Sequence, residues 1–119
     1  MKWQIVLMLV LMSCAYMAGA CSHWDSAKEL SRIEIDNDQV IVRRNIHPPH
    51  SITPMHSHRP GLVVYLTDVR ERSTSPDGSS KIVTHRAGEV IWTAARQHAL
   101  ENLGDTPIEA LEIELKGDR

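Results

Sequence analysis

Pro54-Met55-His56-Ser57-His58 is the most informative segment of this sequence, because it contains two histidines separated by a single serine. Side chains two residues apart in a β-strand point to the same face, so a strand here projects His56 and His58 together and Ser57 to the other side. Neutral imidazoles are good ligands for first-row divalent metals. The segment therefore indicates part of a metal site. The alternative is that both histidines lie exposed in a loop beside Pro54, because the sequence of such a loop could be the same.

The chain on both sides of this segment has the alternation and the turn residues of short β-strands. Ser75-Pro76-Asp77-Gly78 is the clearest turn, because proline presets φ and glycine accepts a positive φ. Strands are expected at residues 33–36, 40–46, 62–69, 81–84, 90–92, 98–102 and 111–115. Short strands at this spacing predict an all-β fold, either an antiparallel sandwich or a barrel.

The last predicted strand alternates strictly between apolar and charged residues, with Leu111, Ile113 and Leu115 between Glu112 and Glu114. Such a pattern predicts a half-buried strand with its apolar side chains in the core. We therefore expect the two carboxylates to point outward.

The wider layout resembles the cupin family of jelly-roll β-barrels, which combine two motifs, one with a His-x-His pair and one that ends in histidine and asparagine. The matching residues are Pro54, His56 and His58 in the first motif, and Gly88, His98 and Asn102 in the second. The segments at 87–92 and 101–107 are also similar to cupin sequences, and the resemblance covers about residues 46–115. It implies a single cupin-like jelly-roll barrel.

The sequence departs from the cupin pattern at positions that affect the metal site. Leu62 or Val63 stands where the first motif has a glutamate ligand, and His50 stands where it has its opening glycine. In the second motif Thr93 and Ala95 replace proline and glycine. The resemblance thus implies a site of three histidines, His56, His58 and His98, for iron, manganese, nickel or zinc.

The other histidines and the remaining carboxylates receive no ligand role from the sequence. His50 could be a fourth ligand or a proton carrier, or it could lie in a loop. His23, His47 and His85 fall in tether or turn positions and are expected to be solvated, and Glu101 is given no role. No nucleophile motif or glycine-rich phosphate loop is present, so no catalytic residue can be named.

The first residues have the order of a secretory signal: the positive charge of Lys2, an apolar run at 5–12, and small residues up to Ala20. Cleavage after Ala20 would remove Cys14 and leave Cys21 first, which resembles the lipidation site of bacterial lipoproteins. We expect a signal peptide at 1–20, a tether at 21–31 with a short helical piece at 25–30, and a barrel at 32–116. The protein would then be exported, either to the bacterial periplasm or as a lipoprotein anchored to the membrane through Cys21.

Size and charge narrow the possible functions. Removing 20 of the 119 residues leaves 99, enough for one domain. The net charge is −2 and the charges are interspersed, which argues against a nucleic-acid partner. The main hypothesis is a small-molecule-binding protein that holds a divalent metal. The alternatives are a metal-dependent enzyme, such as a dioxygenase or isomerase, and a metal-free structural envelope protein; the cupin resemblance also implies a possible homodimer.

Overall fold

The computed structural model describes residues 30–117, and these residues form nine β-strands and no helix. The strands are β1 (Leu30–Asp36), β2 (Val40–His47), β3 (Ile52–His58), β4 (Gly61–Tyr65), β5 (Val69–Thr74), β6 (Ser80–His85), β7 (Val90–Thr93), β8 (Arg96–Asn102) and β9 (Ile108–Leu115). The prediction of an all-β fold is confirmed. Within 30–117, no helix is long and apolar enough to span a membrane.

The predicted signal peptide at 1–20 and the predicted lipidation site at Cys21 lie outside the described residues. The same holds for most of the tether and of the short helical piece predicted at 25–30. Strand β1 begins at Leu30, so the last two residues assigned to the tether, Leu30 and Ser31, lie in a strand.

Two antiparallel sheets face each other in this structure. The first has the strand order β1-β2-β9-β4-β7 and the second has the order β3-β8-β5-β6. Side chains from both sheets line one interior cavity, which is the arrangement of a jelly-roll barrel. Non-local pairs such as β2 with β9 and β3 with β8 hold the barrel together, whereas β1–β2 and β5–β6 are local hairpins.

Turn chemistry explains both hairpins. The side chain of Asn37 accepts hydrogen bonds from the backbone N–H groups of Gln39 and Val40, which closes the turn between β1 and β2. Gly78 has a φ of 84° in the turn between β5 and β6, as the Ser-Pro-Asp-Gly sequence predicts. These local signals place the hairpins correctly.

The single strand predicted at 62–69 is wrong, because the chain turns at residues 66–68 and passes from the first sheet to the second. Long-range hydrogen bonds hold this corner. The backbone N–H of Leu66 donates to the Glu109 carbonyl, and the Thr67 hydroxyl accepts from the Glu109 N–H. The carboxylate of Asp68 accepts from the N–H of Ala87. Strand β5, rather than residues 62–69, is therefore the hairpin partner of β6.

The apolar core lies in one part of the barrel interior. It consists of Val63, Tyr65, Val69, Ile108 and Ala110, with Ile91 packed against it. Burial of these side chains at about 25 cal/mol per Å² of apolar surface is the main favourable contribution to folding. The rest of the interior is polar and forms the site described below.

Gly61 is required by the close approach of β4 to β9. A Cβ atom at this position would lie 1.9 Å from the carbonyl oxygen of Ile113 and 2.9 Å from its carbon. Both atoms belong to the backbone of a paired strand, so they cannot move aside as a flexible side chain would. Only glycine fits here without a shift of the sheet.

Candidate metal centre and its cavity

A cavity of about 310 Å³ lies between the two sheets. Its volume falls at the lower end of the range for small-molecule sites, and its lining combines apolar side chains with a few convergent polar ones. Imidazoles from β3 and β8 lie at one part of this cavity, with carboxylates and a guanidinium beside them. The cavity is therefore the candidate functional site.

His56, His58 and His98 come together as predicted. Residue pairing between β3 and β8 places His56 opposite His98, and the two-residue period of β3 brings His58 to the same face. The ring centroids are 4.6 Å apart for His56 and His58, 4.9 Å for His56 and His98, and 5.1 Å for His58 and His98. One nitrogen from each ring lies within 4.8 Å of the others, so the three rings could share one metal ion.

Hydrogen bonds fix which ring nitrogen of His56 and His58 is free to bind a metal. Nδ1 of His56 lies 2.7 Å from the carbonyl oxygen of Pro54, which can only accept, so Nδ1–H donates. Nδ1 of His58 lies 2.6 Å from a carboxylate oxygen of Glu112 and 3.0 Å from one of Glu114. With Nδ1 protonated in a neutral imidazole, the lone pair is on Nε2. Such second partners orient the rings of metal-binding histidines in many proteins.

The environment of His98 indicates that its ring nitrogen Nε2 binds a ligand. Its Nε2 is buried and has no hydrogen-bond partner within residues 30–117. Burial, followed by the nearby positive charge of Arg96, lowers the pKa of His98 to about 4. The ring is thus neutral at neutral pH, and a buried ring nitrogen without a partner is destabilising unless something binds it. The donor set therefore fits a divalent cation.

Glu112 and Glu114 contradict the outward orientation expected from the alternation in β9. Both face the interior, where they are 5% and 6% exposed, and Leu115 on the opposite face is 40% exposed. The pairing of β9 with β4 explains this orientation, because Glu112 lies opposite the core residue Val63 and therefore shares its inward face. The inward face of β9 therefore borders a polar cavity in addition to the apolar core.

Glu112 is the centre of a buried polar network. Besides His58, it accepts hydrogen bonds of 3.2 Å from the side-chain amide of Asn45 and 3.2 Å from the guanidinium of Arg96. Burial alone would raise the pKa of Glu112, but the hydrogen bond from His58 and the charges of His58 and Arg96 outweigh it and lower the pKa. For His58, burial is likewise outweighed, mainly by Glu112, so its pKa is raised.

A second possible ligand group overlaps the first and consists of His58, Glu112 and Glu114. The Nδ1 proton of His58 lies between these carboxylates, and Glu114 also forms an ion pair of 3.0 Å with Arg43. The negative charges of the two carboxylates are therefore already compensated by the Nδ1 proton of His58 and the guanidinium of Arg43. The three imidazoles are the better candidate, with Glu112 as the carboxylate that positions His58.

Glu112→Gln is expected to weaken metal binding by about 10- to 100-fold, the usual effect of removing a partner that positions a metal ligand. The amide keeps a side chain of the same shape but loses the negative charge beside His58. Zinc affinity can be measured by competition with a chromogenic chelator. Glu109→Gln provides the matched control, because Glu109 lies on the same strand but pairs with Arg44 away from the cavity; an equal loss in the control would contradict the role of Glu112.

The remaining histidines of the described chain lie outside the group of three. His50 is exposed in the loop before β3 and pairs with Asp105 at 2.8 Å, so it is neither a fourth ligand nor a proton carrier for this site. The prediction that His47 and His85 are solvated is wrong. His47 is buried and its Nδ1 lies 2.9 Å from the Thr53 hydroxyl, and His85 stacks on Tyr65 at a centroid distance of 4.2 Å. His23 lies outside the described residues.

Asn102, matched to the end of the second cupin motif, has a structural function here. Its side-chain amide donates to the carbonyls of His47, Pro48 and Thr106, at 3.0, 3.2 and 2.9 Å. Its side-chain oxygen accepts from the N–H of Gly104 at 2.9 Å. One buried amide thus ties the end of β2 to the loop before β9. Glu101, given no role, pairs with Arg72 at the surface.

Glu71 is an interior carboxyl group that the sequence reading missed. It lies on β5, lines the cavity and is 8% exposed. Burial, offset in part by the charges of His85 and Arg96, raises the pKa of Glu71 to about 7. In the sequence Glu71 stands between Arg70 and Arg72, a charged segment that gives no sign of a buried side chain. Its inward orientation becomes evident only from the pairing of β5 with β6.

The raised pKa of Glu71 predicts a specific dependence of stability on pH. Between the unfolded value of 4.5 and the folded value of about 7, the folded state binds more protons than the unfolded state, so stability falls as the pH rises through this window. The full change is roughly 3 kcal/mol for this shift. Urea unfolding of native protein and of Glu71→Gln at pH 4.5 and 7.5 would measure it, and the native protein should lose more stability than the variant. Identical losses would contradict the raised pKa.

Comparison with known proteins supports the fold at this point. No protein-family model and no curated protein matches the sequence. Among solved structures, a cupin domain from Bordetella pertussis Tohama I is 27% identical with a TM-score of 0.70, and the match covers 75% of this chain and 94% of that chain. A cupin superfamily protein from Desulfitobacterium hafniense is 16% identical with a TM-score of 0.57, covering 74% and 77%.

The polyketide cyclase RemF from Streptomyces resistomycificus is also similar in structure, with 20% identity and a TM-score of 0.56 over 75% of this chain and 66% of that one. The architecture is therefore that of a jelly-roll barrel with the cupin fold. The chain resembles small cupin proteins, and the resemblance expected from its two histidine motifs is confirmed.

Proposed function

We propose that this protein binds a small molecule in its barrel cavity by means of one divalent metal ion held by His56, His58 and His98. The observation that carries the proposal is the buried Nε2 of His98, which has no partner in the described chain and lies beside two imidazoles whose Nδ1 protons are already donated. The chemistry of the set, three imidazole nitrogens, suits iron, manganese, nickel or zinc.

His56, His58 and His98 would hold the metal, which would supply Lewis-acid chemistry toward an oxygen or nitrogen atom of the bound molecule. The protein residues prepare the site for it. Glu112 and the Pro54 carbonyl hold the ring orientations of His58 and His56. Arg96 adds a permanent positive charge next to the imidazoles, fixed by bonds to Thr93 and Glu112.

Metal analysis of the purified native protein tests the proposal. Elemental analysis after exhaustive dialysis, followed by titration with zinc, cobalt, nickel, manganese and ferrous iron, is expected to give one ion per chain. Cobalt would also report the ligands, because its visible absorption depends on coordination geometry. A native protein that neither contains a metal nor retains any of these ions after dialysis would rule out the metal site.

We propose further that the barrel works outside the cytoplasm. The support is the sequence: Lys2, the apolar run at 5–12, and small residues before Cys21. Cells that express the native chain and are fed labelled palmitate are expected to label the protein, and Cys21→Ser should abolish the label. Cys14→Ser is the matched control and should keep it. Absence of label on the native chain would overturn the lipid anchor.

A further inference from the structure

The unexplained feature of the cavity is the carboxyl group of Glu71. It is more than nine-tenths buried, and it has no hydrogen bond or ion pair with any residue between 30 and 117. Buried carboxyl groups are expensive to leave without a partner, so such a group points to a ligand or to a chemical role. Glu71 does not belong to the metal site: its strand neighbour on β8 is Asn102, four residues from His98, or about 13 Å along the strand.

The donors around Glu71 form hydrogen bonds with other groups, and none of them donates to Glu71 in the described chain. The side-chain amide of Asn102 is bonded to three backbone carbonyls. Nδ1 of His85 lies 2.9 Å from the carboxylate of Glu89. The guanidinium of Arg96 donates to Thr93 and Glu112. Glu71 therefore faces the cavity with acceptor oxygens that the surrounding protein does not use.

We propose that Glu71 recognises a hydrogen-bond-donating group, an amine or a hydroxyl, at the far end of a small acid whose acidic group binds at the histidines. This inference rests on the proposed function, because the acidic end is placed at the metal. The charge distribution supports this orientation. The histidine part of the cavity carries Arg96, which has five N–H donors and uses two of them on Thr93 and Glu112. The opposite part presents the Glu71 carboxyl group, which the charges of His85 and Arg96 influence but which forms no ion pair or hydrogen bond with either of them in the described chain.

Matched acids test this assignment. The probes are 4-aminobutanoate, 4-hydroxybutanoate and pentanoate, which differ only in a terminal amine, hydroxyl or methyl group, together with the six-carbon amino and hydroxy acids and heptanoate. Calorimetric titration of zinc-loaded native protein is expected to show at least about tenfold tighter binding of the amino or hydroxy acid than of its methyl counterpart, as a hydrogen bond to a buried charged group predicts. The tighter of the two identifies the donor group.

Two variants locate the effect. Glu71→Leu should remove the preference altogether, and Glu71→Gln, which keeps the shape and hydrogen-bonding capacity, should remove the preference for the amine only. Zinc content is measured first in each protein, so loss of the metal site is distinguished from loss of recognition. If Glu71→Leu fails to fold, Glu71→Gln carries the test with the amino acids. The proposal is overturned if the methyl acids bind as tightly to the native protein, if no probe binds the loaded protein, if any preference persists in Glu71→Leu, or if the preference for the amine persists in Glu71→Gln.

Discussion

Replacement of His98 by alanine is expected to lower the zinc affinity of the protein by more than about 100-fold. Loss of a partner that only positions a ligand costs up to about that factor, and His98 is itself a proposed ligand. The remaining His56 and His58 come from one strand and would approach the ion from one side only. Elemental analysis after dialysis and chelator competition would measure the effect.

His50→Ala is the matched control for this experiment. His50 is exposed and pairs only with Asp105 within the described chain, so its removal should leave zinc binding unchanged. Circular dichroism of both variants should keep the β-sheet signal of the native protein. A His98→Ala protein that retains one zinc ion per chain at native affinity would contradict the three-histidine site.

Gly61→Ala is expected to destabilise the fold by at least about 3 kcal/mol, the upper part of the range for overpacking. The added Cβ would lie 1.9 Å from the backbone oxygen of Ile113, and relief requires that β4 and β9 separate. Small domains have only about 5–15 kcal/mol of stability, so the loss would be visible as a large fall in the urea midpoint or as failure to fold.

Gly104→Ala tests whether the effect is specific to the strand contact. A Cβ at Gly104 would meet only the side-chain oxygen of Asn102 at 3.4 Å and a backbone nitrogen at 4.0 Å, which are ordinary contacts. Its midpoint should remain close to that of the native protein. Equal stability of Gly61→Ala and Gly104→Ala would mean that β4 and β9 can separate without cost.

Local sequence patterns were sufficient to predict the all-β fold and the pair of histidines on β3. The pair His56 and His58 requires only the two-residue period of a strand, and the hairpin turns require only the backbone preferences of proline, glycine and asparagine. The cupin resemblance then added His98, which lies forty residues further along the chain and is brought in by the pairing of β3 with β8.

The errors arose where a long-range contact decides the outcome. Residues 66–68 include the apolar Leu66 and the β-branched Thr67, which are typical of a strand. Hydrogen bonds to Glu109 and Ala87 nevertheless make these residues a corner between the two sheets. In β9 the alternation was read correctly but assigned to the wrong face. Apolar side chains indicate the inside of a barrel only when that inside is a core, and here Glu112 and Glu114 face a polar cavity.

The polar lining of the barrel implies a trade-off between the stability of the fold and ligand binding. The apolar core of the described chain is small, and the space that could extend it is given to imidazoles, carboxylates and a guanidinium. A sequence that filled this space with aliphatic side chains would fold into the same strands with a larger stability margin, but it would have no room for a ligand. Stabilising substitutions should therefore be easiest to find among the cavity residues themselves, and each of them should come with a loss of binding.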